Sequence, residues 1–434
     1  MGGRTRRRLG GLMLLGCVAA CASPATTPRH TPAAAVEPLP RFAAGGPDAE
    51  EFGAGLGYPP GDRTTFFRVG WLVGSHSHLD EIFPSRLAHK APAPSRLVRV
   101  AEPPITWQYQ ARELTLDDYL ARTPTTGLLI ARGDTILVER YQYGRTDRDR
   151  FTSWSMAKTV TSMLVGIAIA EGHIRSVDDL AAAYVPELAG TEYGKSSLRH
   201  LLQMSSGVRF SEQYTGTDDV SRLAANTFLL RGAGGPSAVT EFNQRAAAVG
   251  TKFSYASVET QVLGLVLRAA TGRPPAEYLE SRIWQPIGAE ADATWLVDRS
   301  GQEATFCCLN AVLRDYARLG LLLAHDGNWR GRQIIPATWV REATTTRPDQ
   351  PHLWPGVATP FFGYGYQTWI VPSWILPGDR RMFAFMGVRG QRIYVDSQSK
   401  LVMVNTAVHK QPVDLPQARE TGALWTALVR QLGD

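Results

Sequence analysis

Residues 151–174 read FTSWSMAKTVTSMLVGIAIAEGHI and combine the pattern of a buried helix with two polar residues at its start. Ser155 stands at the front of the apolar run, and Lys158 follows three residues later. A lysine that faces a protein core is costly unless it is paired or has a chemical task. Residues at i and i+3 share one helix face, about 5 to 6 Å apart at Cβ. The spacing therefore predicts that these two side chains meet.

A serine and a lysine in this arrangement suit nucleophilic catalysis. The N–H groups at a helix start point outward and favour negative charge, and burial lowers the pKa of a lysine so that it can act as a base. In the structural alternative, Ser155 caps the helix and Lys158 extends to solvent. Ser-x-x-Lys alone does not decide, because it recurs at Ser397 and Lys400, where the flanking sequence predicts a turn between two strands.

Two further elements sharpen the interpretation. The triplet Tyr255-Ala256-Ser257 lies in a predicted loop before an apolar helix, 100 residues after Ser155. The stretch FMGVRGQRIYV places Gly387 and Gly390 where a strand begins. Glycine there permits a close backbone approach, and a strand-edge N–H can bind an oxyanion.

In this order the three elements resemble those of the serine β-lactamase and penicillin-recognising superfamily. Within it the chain is most similar to class C-like β-lactamases, carboxylesterases and 6-aminohexanoate-dimer hydrolases, over roughly residues 65–432. The resemblance is carried by SWSMAKTVTSMLVGIAIAEGHI, LRHLLQMSSGVRFSEQY, NAVLRDYARLGLLLAHDG and GVRGQRIYVD. It implies a serine hydrolase that forms an acyl-enzyme and uses neither a cofactor nor a metal.

The resemblance also implies a role for each matching residue. Ser155 matches the acylated nucleophile, Lys158 its general base, and Tyr255 the tyrosine that passes a proton to the leaving group. The backbone N–H groups of Ser155 and Val388 would form the oxyanion hole. Tyr214 matches a substrate-closing tyrosine of the nylon-oligomer branch. The candidate substrate-binding residues are Tyr214, Ser257, Phe385 and Gly387.

One departure bears on the substrate. β-Lactamases carry Lys-Thr-Gly or a similar triplet on the third-element strand, where the cation helps to hold the substrate carboxylate. This chain reads Phe385-Met386-Gly387, and only Arg389 or Arg392 could supply a cation nearby. The departure favours hydrolysis of small amides or esters, as in 6-aminohexanoate-oligomer hydrolases or esterases. A β-lactamase or a D-alanyl-D-alanine carboxypeptidase is the alternative within the superfamily.

Two alternatives come from other classes. His76, His78 and Asp80 form an HxHxD pattern whose imidazoles and carboxylate suit zinc, as in a metal-dependent hydrolase. That hypothesis leaves Ser155, Lys158 and Tyr255 unexplained. The other alternative is a non-catalytic binding protein of the cell envelope, because a fold alone does not determine a function.

The order of predicted elements indicates an α+β fold. Two strands around a glycine-centred turn occupy 127–141, mostly helical segments fill about 176–345, and short β-rich segments with a terminal helix follow from about 362. We expect an antiparallel sheet flanked by N- and C-terminal helices, with an inserted helical region, as in β-lactamases and transpeptidases. The hydrolase domain is predicted over 63–434.

The N-terminus reads as a targeting segment. Residues 1–22 hold four arginines, no acid and a 12-residue apolar run, too short to span a bilayer. Val18-Ala19-Ala20-Cys21 resembles a bacterial lipobox in which Cys21 is lipidated; plain cleavage after Ala22 is the alternative. Residues 23–62, rich in Pro, Ala and Gly, are predicted to form a tether. We therefore expect an exported protein, anchored to the membrane by lipid or otherwise secreted.

The net charge of the chain bears on its partners. Without residues 1–22 the chain has 42 basic and 40 acidic residues, so its net charge falls from +6 to +2 and indicates no nucleic-acid partner. A small-molecule amide or ester is the expected partner, and the sequence does not indicate an oligomeric state.

Outside the leader, only two cysteines remain, Cys307 and Cys308. Because a disulfide between neighbours is strained, two buried thiols are expected.

Overall fold

A computed structural model describes residues 1–2, 37–229 and 234–433. The chain from Glu37 onward forms one unit. The predicted leader, apart from its first two residues, and the expected lipidation site Cys21 lie outside the described residues. Within the described parts of the chain, no helix combines the length and the apolar character needed to cross a bilayer.

The strands of the described residues are short, and most lie in the N- and C-terminal thirds of the chain. In chain order they are β1 Arg41–Phe42, β2 Ser85–Ala88, β3 Val98–Arg99, β4 Thr106–Tyr109, β5 Arg112–Thr115, β6 Thr125–Arg132, β7 Thr135–Tyr141, β8 Phe151–Thr152, β9 Ala293–Leu296, β10 Leu309–Ala311, β11 Asn328–Trp329, β12 Arg332–Gln333, β13 Gly363–Tyr364, β14 Trp369–Val371, β15 Met382–Gly387, β16 Gln391–Asp396 and β17 Leu401–Ala407.

The α-helices of the described residues are concentrated between the two groups of strands. They are α1 Leu72–Ser77, α2 Leu79–Ile82, α3 Leu116–Arg122, α4 Ala157–Ala170, α5 Leu198–Leu202, α6 Asp219–Ala224, α7 Ser257–Thr271, α8 Pro275–Leu279, α9 Leu313–Ala324, α10 Ala337–Thr344 and α11 Leu415–Leu432. Two π-helical turns follow α6 and α8, over Ala225–Leu229 and Glu280–Trp284.

The large sheet confirms the predicted α+β fold. Its strand order is β1-β7-β6-β17-β16-β15-β14-β13, and β3 also pairs with β7. All pairs from β7 to β13 are antiparallel, as expected for short strands joined by turns. The two parallel pairs, β1 and β3 on β7, were not predicted and come from the segment before the matched motifs.

Each face of the sheet has its own core because side chains alternate along a strand. On one face, Leu128, Met403 and Tyr394 pack with α3 and with α11, which is the predicted C-terminal helix; α3 was not predicted. On the other face, Leu129 and Val404 belong to the larger core of the central helical region. Helix α9 approaches this face closely because Gly320 has no side chain; a Cβ there would lie 2.7 Å from Val402. The second face carries the candidate site.

The central region is less helical than predicted. Residues 176–197 form 3-10 turns over Ala181–Ala183 and Pro186–Leu188 instead of an α-helix. Strands β9 and β10 also lie within the predicted helical segment and build a second sheet, ordered β2-β9-β10-β8. A proline inside the first segment and the β-branched and aromatic residues of β9 account for these differences.

Residues 37–62, predicted as part of a tether, belong to the folded unit. Strand β1 pairs with β7, and Phe52 and Tyr58 are buried against the ring of Tyr143, with centroids 5.8 and 5.7 Å away. The boundary predicted at residue 62 is therefore wrong, because a few aromatic residues anchor a segment whose overall composition resembles a linker.

Candidate active site

The segment before Ser155 is held tightly by neighbouring elements. It leaves β8, passes through a 3-10 turn over Trp154–Met156 and enters α4 at Ala157. Ser153 donates its N–H to the carbonyl of Leu309 at 2.7 Å, and its hydroxyl accepts the Leu309 N–H at 3.1 Å. Trp154 has a φ of 42°, a backbone conformation that non-glycine residues rarely adopt. This turn places Ser155 at the start of α4.

Lys158 contacts Ser155 directly. Its Nζ donates to Ser155 Oγ at 2.8 Å and to the Phe306 carbonyl at 2.9 Å. Lys158 is 2% exposed, so it is not the solvent-directed lysine of the structural alternative. Burial lowers the pKa of Lys158 to about 8, partly opposed by the negative charge of Glu212. A substantial fraction of Lys158 is therefore neutral near physiological pH and able to accept the Ser155 proton.

Tyr255 completes the group. Lys158 Nζ lies 5.0 Å from the centroid of the Tyr255 ring, and that ring stacks on Trp369 with centroids 5.3 Å apart. Burial and the charge of Glu212 raise the pKa of Tyr255, whereas the neighbouring Ser155 side chain opposes the increase. The phenol is therefore protonated at neutral pH and is a proton donor before it is a base.

Glu212 is a polar residue of the site that sequence analysis missed. Its Oε1 accepts hydrogen bonds from the Tyr214 hydroxyl and the Ser257 hydroxyl, both at 2.8 Å, and its Oε2 accepts the Ser257 N–H at 2.7 Å. The carboxylate thus sits at the N-terminus of α7, where a helix favours negative charge. Sequence offered no signal for it, because its main partner lies 45 residues away.

The structure brings Tyr214 and Ser257 to the site but gives Ser257 a different task. Tyr214 has a φ of 58° and lies close enough to Tyr255 for that residue to contribute to the raised pKa of Tyr214, after burial and the charge of Glu212. Both polar groups of the buried Ser257 are bound to Glu212. The predicted substrate contact through the Ser257 hydroxyl is therefore replaced by a bond that ties the Glu212 loop to α7.

The end of β15 lies against the nucleophile turn. At Gly387 a Cβ would be 2.5 Å from the Ser153 carbonyl and 3.0 Å from Trp154 Cβ, so only glycine fits. This close approach between two backbone segments places Val388 beside the turn that bears Ser155. Phe385 faces the inner core and is 0% exposed, so the predicted substrate contact there is wrong; strand alternation turns its ring inward.

The two arginines near β15 differ in their partners. The Arg389 guanidinium donates to the carbonyls of His409 and Lys410 at 2.7 and 2.8 Å. Arg392 donates to the Gly387 carbonyl and lies near enough to Tyr255 to lower its pKa. Arg392 is therefore the cation that the structure places nearer to the reacting group.

The Cys307–Cys308 segment directly follows Phe306, whose carbonyl holds Lys158. The two sulfurs form a disulfide, so the expectation of two thiols is wrong. Cys308 has a φ of 67°, and this sharp turn brings the neighbouring side chains together. The Cys307 carbonyl also accepts the Trp295 indole N–H at 2.8 Å. The bridged turn thus immediately follows Phe306, the partner of Lys158.

A sequence profile described as Beta-lactamase matches residues 113–424. The chain belongs to the Beta-lactamase family. This assignment confirms the resemblance carried by the three sequence elements, and the match spans all the predicted catalytic residues.

Three known proteins are similar to this Beta-lactamase family protein in sequence or in fold. It is 26% identical over 361 residues to a 6-aminohexanoate-dimer hydrolase of Paenarthrobacter ureafaciens, covering 81% of this chain and 87% of that protein. A candidate 6-aminohexanoate-dimer hydrolase from Bacillus anthracis has the same fold, with a TM-score of 0.73, 22% identity, and coverage of 85% and 97% of the two chains. EstCE1, a hydrolase with promiscuous acyltransferase activity, aligns with a TM-score of 0.57 and 15% identity over 71% and 94%.

The family and the similarity to a 6-aminohexanoate-dimer hydrolase confirm the predicted enzyme class, a serine hydrolase of amide or ester bonds. The zinc alternative has no support in the geometry. His76 accepts the Trp154 indole N–H at 3.0 Å, and Asp80 forms an ion pair with Arg150 at 2.6 Å. His78 pairs with the glutamate three residues on. No group of three His, Cys, Asp or Glu residues within 37–229 and 234–433 is arranged to hold a metal ion.

The first prediction concerns the pH dependence of this Beta-lactamase family enzyme. Since only neutral Lys158 accepts a proton, kcat/KM should rise with pH and reach half its maximum near pH 8. Glu212→Gln removes the charge that raises the Lys158 pKa, so the rising limb should move to lower pH. A pH series of kcat/KM on an ester measures both.

Asp218→Asn is the matched control for Glu212→Gln. Asp218 also anchors this loop, accepting the N–H groups of Gln213 and Tyr214 at 2.7 and 2.6 Å, without acting on Lys158. Asp218→Asn should leave the rising limb of the pH profile of kcat/KM at its wild-type position. If Glu212→Gln also left that limb unmoved, the result would contradict the electrostatic role assigned to Glu212.

Proposed function

We propose that this protein hydrolyses small open-chain amides or esters through an acyl-enzyme on Ser155. The observation that carries the proposal is the buried Lys158 amine, 2.8 Å from Ser155 Oγ and with a pKa lowered to about 8. Tyr255 lies beside both groups as a protonated phenol. A nucleophile, a base and an acid within one site support acyl transfer.

Acylation begins with transfer of the Ser155 proton to neutral Lys158. Oγ bonds to the substrate carbonyl carbon, and the negative charge that develops on the carbonyl oxygen is held by the N–H groups of Ser155 and Val388. The bond to the amine or alcohol then breaks. Tyr255 protonates the leaving group and recovers its proton from Lys158, which is left neutral for the next step.

Deacylation reverses these roles with water as the nucleophile. Neutral Lys158 accepts the water proton while the water oxygen bonds to the acyl carbon. The bond to Ser155 Oγ breaks, the hydroxyl regains a proton, and a carboxylic acid leaves. Glu212 supports this cycle because its charge keeps the Lys158 pKa from falling further.

Small linear amides related to 6-aminohexanoate oligomers, or small esters, are the proposed substrates. The 26% identity to a 6-aminohexanoate-dimer hydrolase supports the amide, and the EstCE1 fold is compatible with the ester. Strand β15 has no lysine, and Arg392, the cation near Tyr255, is bound to the Gly387 carbonyl. β-Lactams and D-alanyl-D-alanine peptides, whose carboxylates need a cation, should therefore be poorer substrates than linear amides.

Intact-mass analysis after treatment with a fluorophosphonate probe tests the mechanism. The full chain should gain one adduct, and Ser155→Ala should gain none. Ser397→Ala, which alters the serine of the other Ser-x-x-Lys sequence, should label like the wild type. Absence of an adduct on folded wild type, or an adduct that persists in Ser155→Ala, would contradict the proposal.

We also propose that the enzyme is exported and held at the membrane by a lipid on Cys21. The charged and apolar leader and the lipobox-like Val18-Ala19-Ala20-Cys21 support it, since two acyl chains anchor a protein stably. The same mass analysis on protein expressed in a bacterium should find an acylated Cys21 as the first residue in the membrane fraction. A chain that begins at Ser23 in the soluble fraction would contradict lipidation.

A further inference from the structure

Two residues with unusual backbone conformations flank the two oxyanion-hole groups. Trp154, with a φ of 42°, precedes Ser155, and Arg389, with a φ of 59°, follows Val388. Non-glycine residues adopt a positive φ only where the surrounding structure holds them in that conformation. Residues in such conformations cluster at active sites. The orientation of both N–H groups therefore depends on what holds Trp154 and Arg389.

One aromatic ring contacts both of these residues. Phe67 stacks on Trp154 with ring centroids 5.4 Å apart and planes at 20°. The Arg389 guanidinium lies 5.5 Å from the centroid of the same Phe67 ring, within the range of a cation–π contact. Phe67 thus bridges the turn that bears Ser155 and the turn that bears Val388.

A histidine from the same N-terminal segment holds the other end of the Trp154 indole. His76 Nε2 accepts the Trp154 Nε1–H at 3.0 Å, and His76 is buried. Burial and the charge of Arg389 lower the pKa of His76 to about 3, so the ring stays neutral and remains an acceptor. Stacking on one side and a hydrogen bond on the other fix the indole.

The bridging residue is not explained by core packing. Phe67 is 47% exposed, and both Phe67 and His76 precede residue 113, where the family match begins. The segment itself is fixed, since the Ser75 hydroxyl donates to the Phe66 carbonyl at 2.7 Å and the Phe66 ring packs edge-on against Phe83. An exposed aromatic on a fixed segment, in contact with both turns, indicates a positioning role.

We propose that Phe67, with His76, positions the two backbone donors of the oxyanion hole by clamping Trp154 to Arg389. The inference rests on the proposed function, because it assumes that an oxyanion forms at Ser155 and Val388. Phe67 is a positioning residue: it acts through Trp154 and Arg389, and not by contact with the reacting atoms.

The test replaces Phe67 by alanine, leucine and tryptophan in the full chain. Phe42→Ala is a closely matched control: Phe42 lies in the same N-terminal region, is 53% exposed, and stacks on Tyr141 with centroids 5.5 Å apart and planes at 20°. Because a small misplacement of catalytic groups is amplified in the rate, Phe67→Ala should lower kcat/KM for an ester by about tenfold or more. Phe42→Ala should stay within about twofold of the wild type.

A thionoester comparison separates positioning from general loss of structure. Oxyanion-hole donors hydrogen-bond strongly to oxygen and weakly to sulfur, so misplaced donors reduce the ester rate more than the thionoester rate. Phe67→Ala and Phe67→Leu should lower the ester-to-thionoester ratio, and Phe67→Trp should restore it. Thermal unfolding should show similar Tm values for Phe67→Ala and Phe42→Ala.

The outcomes also distinguish the inference from the function on which it rests. Equal losses on ester and thionoester, or a Phe67→Ala rate equal to that of Phe42→Ala, would overturn the clamp while Ser155 labelling in the wild type still supports the enzyme. Absence of Ser155 labelling in the wild type would overturn the proposed function and the clamp with it.

Discussion

Lys158→Ala is expected to slow acylation of Ser155 by about a thousandfold or more, which is the size of effect seen when a general base is removed from a serine nucleophile. The reason is geometric: Lys158 Nζ donates to Ser155 Oγ at 2.8 Å and is the basic nitrogen in contact with that hydroxyl. The rate of fluorophosphonate labelling measures the effect directly, because that reaction needs an activated hydroxyl and no leaving-group proton from Tyr255.

Two further variants make this prediction specific. Lys158→Arg keeps the positive charge but cannot act as a base, so it should be as slow as Lys158→Ala. Lys400→Ala removes the lysine of the other Ser-x-x-Lys sequence, whose Nζ donates to the carbonyls of Ser397 and Ala324 at 2.5 and 2.8 Å, and it should label at the wild-type rate. Folded Lys158→Ala that labels within tenfold of wild type would exclude Lys158 as the base.

The contrast between the two Ser-x-x-Lys sequences shows what sequence can and cannot decide. Both have the same spacing, but only Ser155 and Lys158 share the face of a helix start, so only there does the amine reach the hydroxyl. At Ser397 the amine contacts a carbonyl in a strand turn instead. The surrounding apolar periodicity, not the motif, made this distinction predictable.

Contacts distant along the chain were not predictable in the same way. Glu212 and Ser257 are joined by hydrogen bonds between groups 45 residues apart, and neither residue type signals its partner. Folding of residues 37–62 depends on Phe52 and Tyr58 finding Tyr143, which average composition conceals. A periodic apolar pattern predicts which face of a helix or strand is buried. The contacts described here depend instead on which helices, strands and loops pack together, and the pattern does not predict that.

Burial on the inner face of the sheet explains the error at the third element. The sequence indicated short strands around Gly387 and Gly390, and the family resemblance assigned Val388 to the oxyanion hole. It did not show which residues of the strand face inward, and Phe385 proved to be core. Phe385 shares the sheet face that carries the site, but the core of the helical region covers it there, so alternation along the strand does not separate a substrate contact from a core residue.

Tyr255→Phe should lower kcat by about 10² to 10⁴ for an amide substrate, the usual range for loss of a positioned acid or base. The change keeps the ring that stacks on Trp369 and removes only the hydroxyl. An amide leaving group needs a proton to depart, whereas nitrophenolate leaves as an anion. Acylation by a nitrophenyl ester should therefore be affected much less than acylation by an anilide of the same acid, and pre-steady-state bursts on the two substrates measure the difference.

Tyr364→Phe is the matched control for this comparison. Tyr364 is a buried tyrosine whose ring meets Tyr255 edge-on at 6.2 Å, so the variant alters a neighbouring hydroxyl in the same aromatic group. It should preserve the wild-type ratio of amide to ester rates. If Tyr255→Phe slowed both acylations equally, the hydroxyl would act on Ser155 and not on the leaving group. Since the raised pKa of Tyr255 keeps the phenol protonated, selective loss on the amide is the expected result.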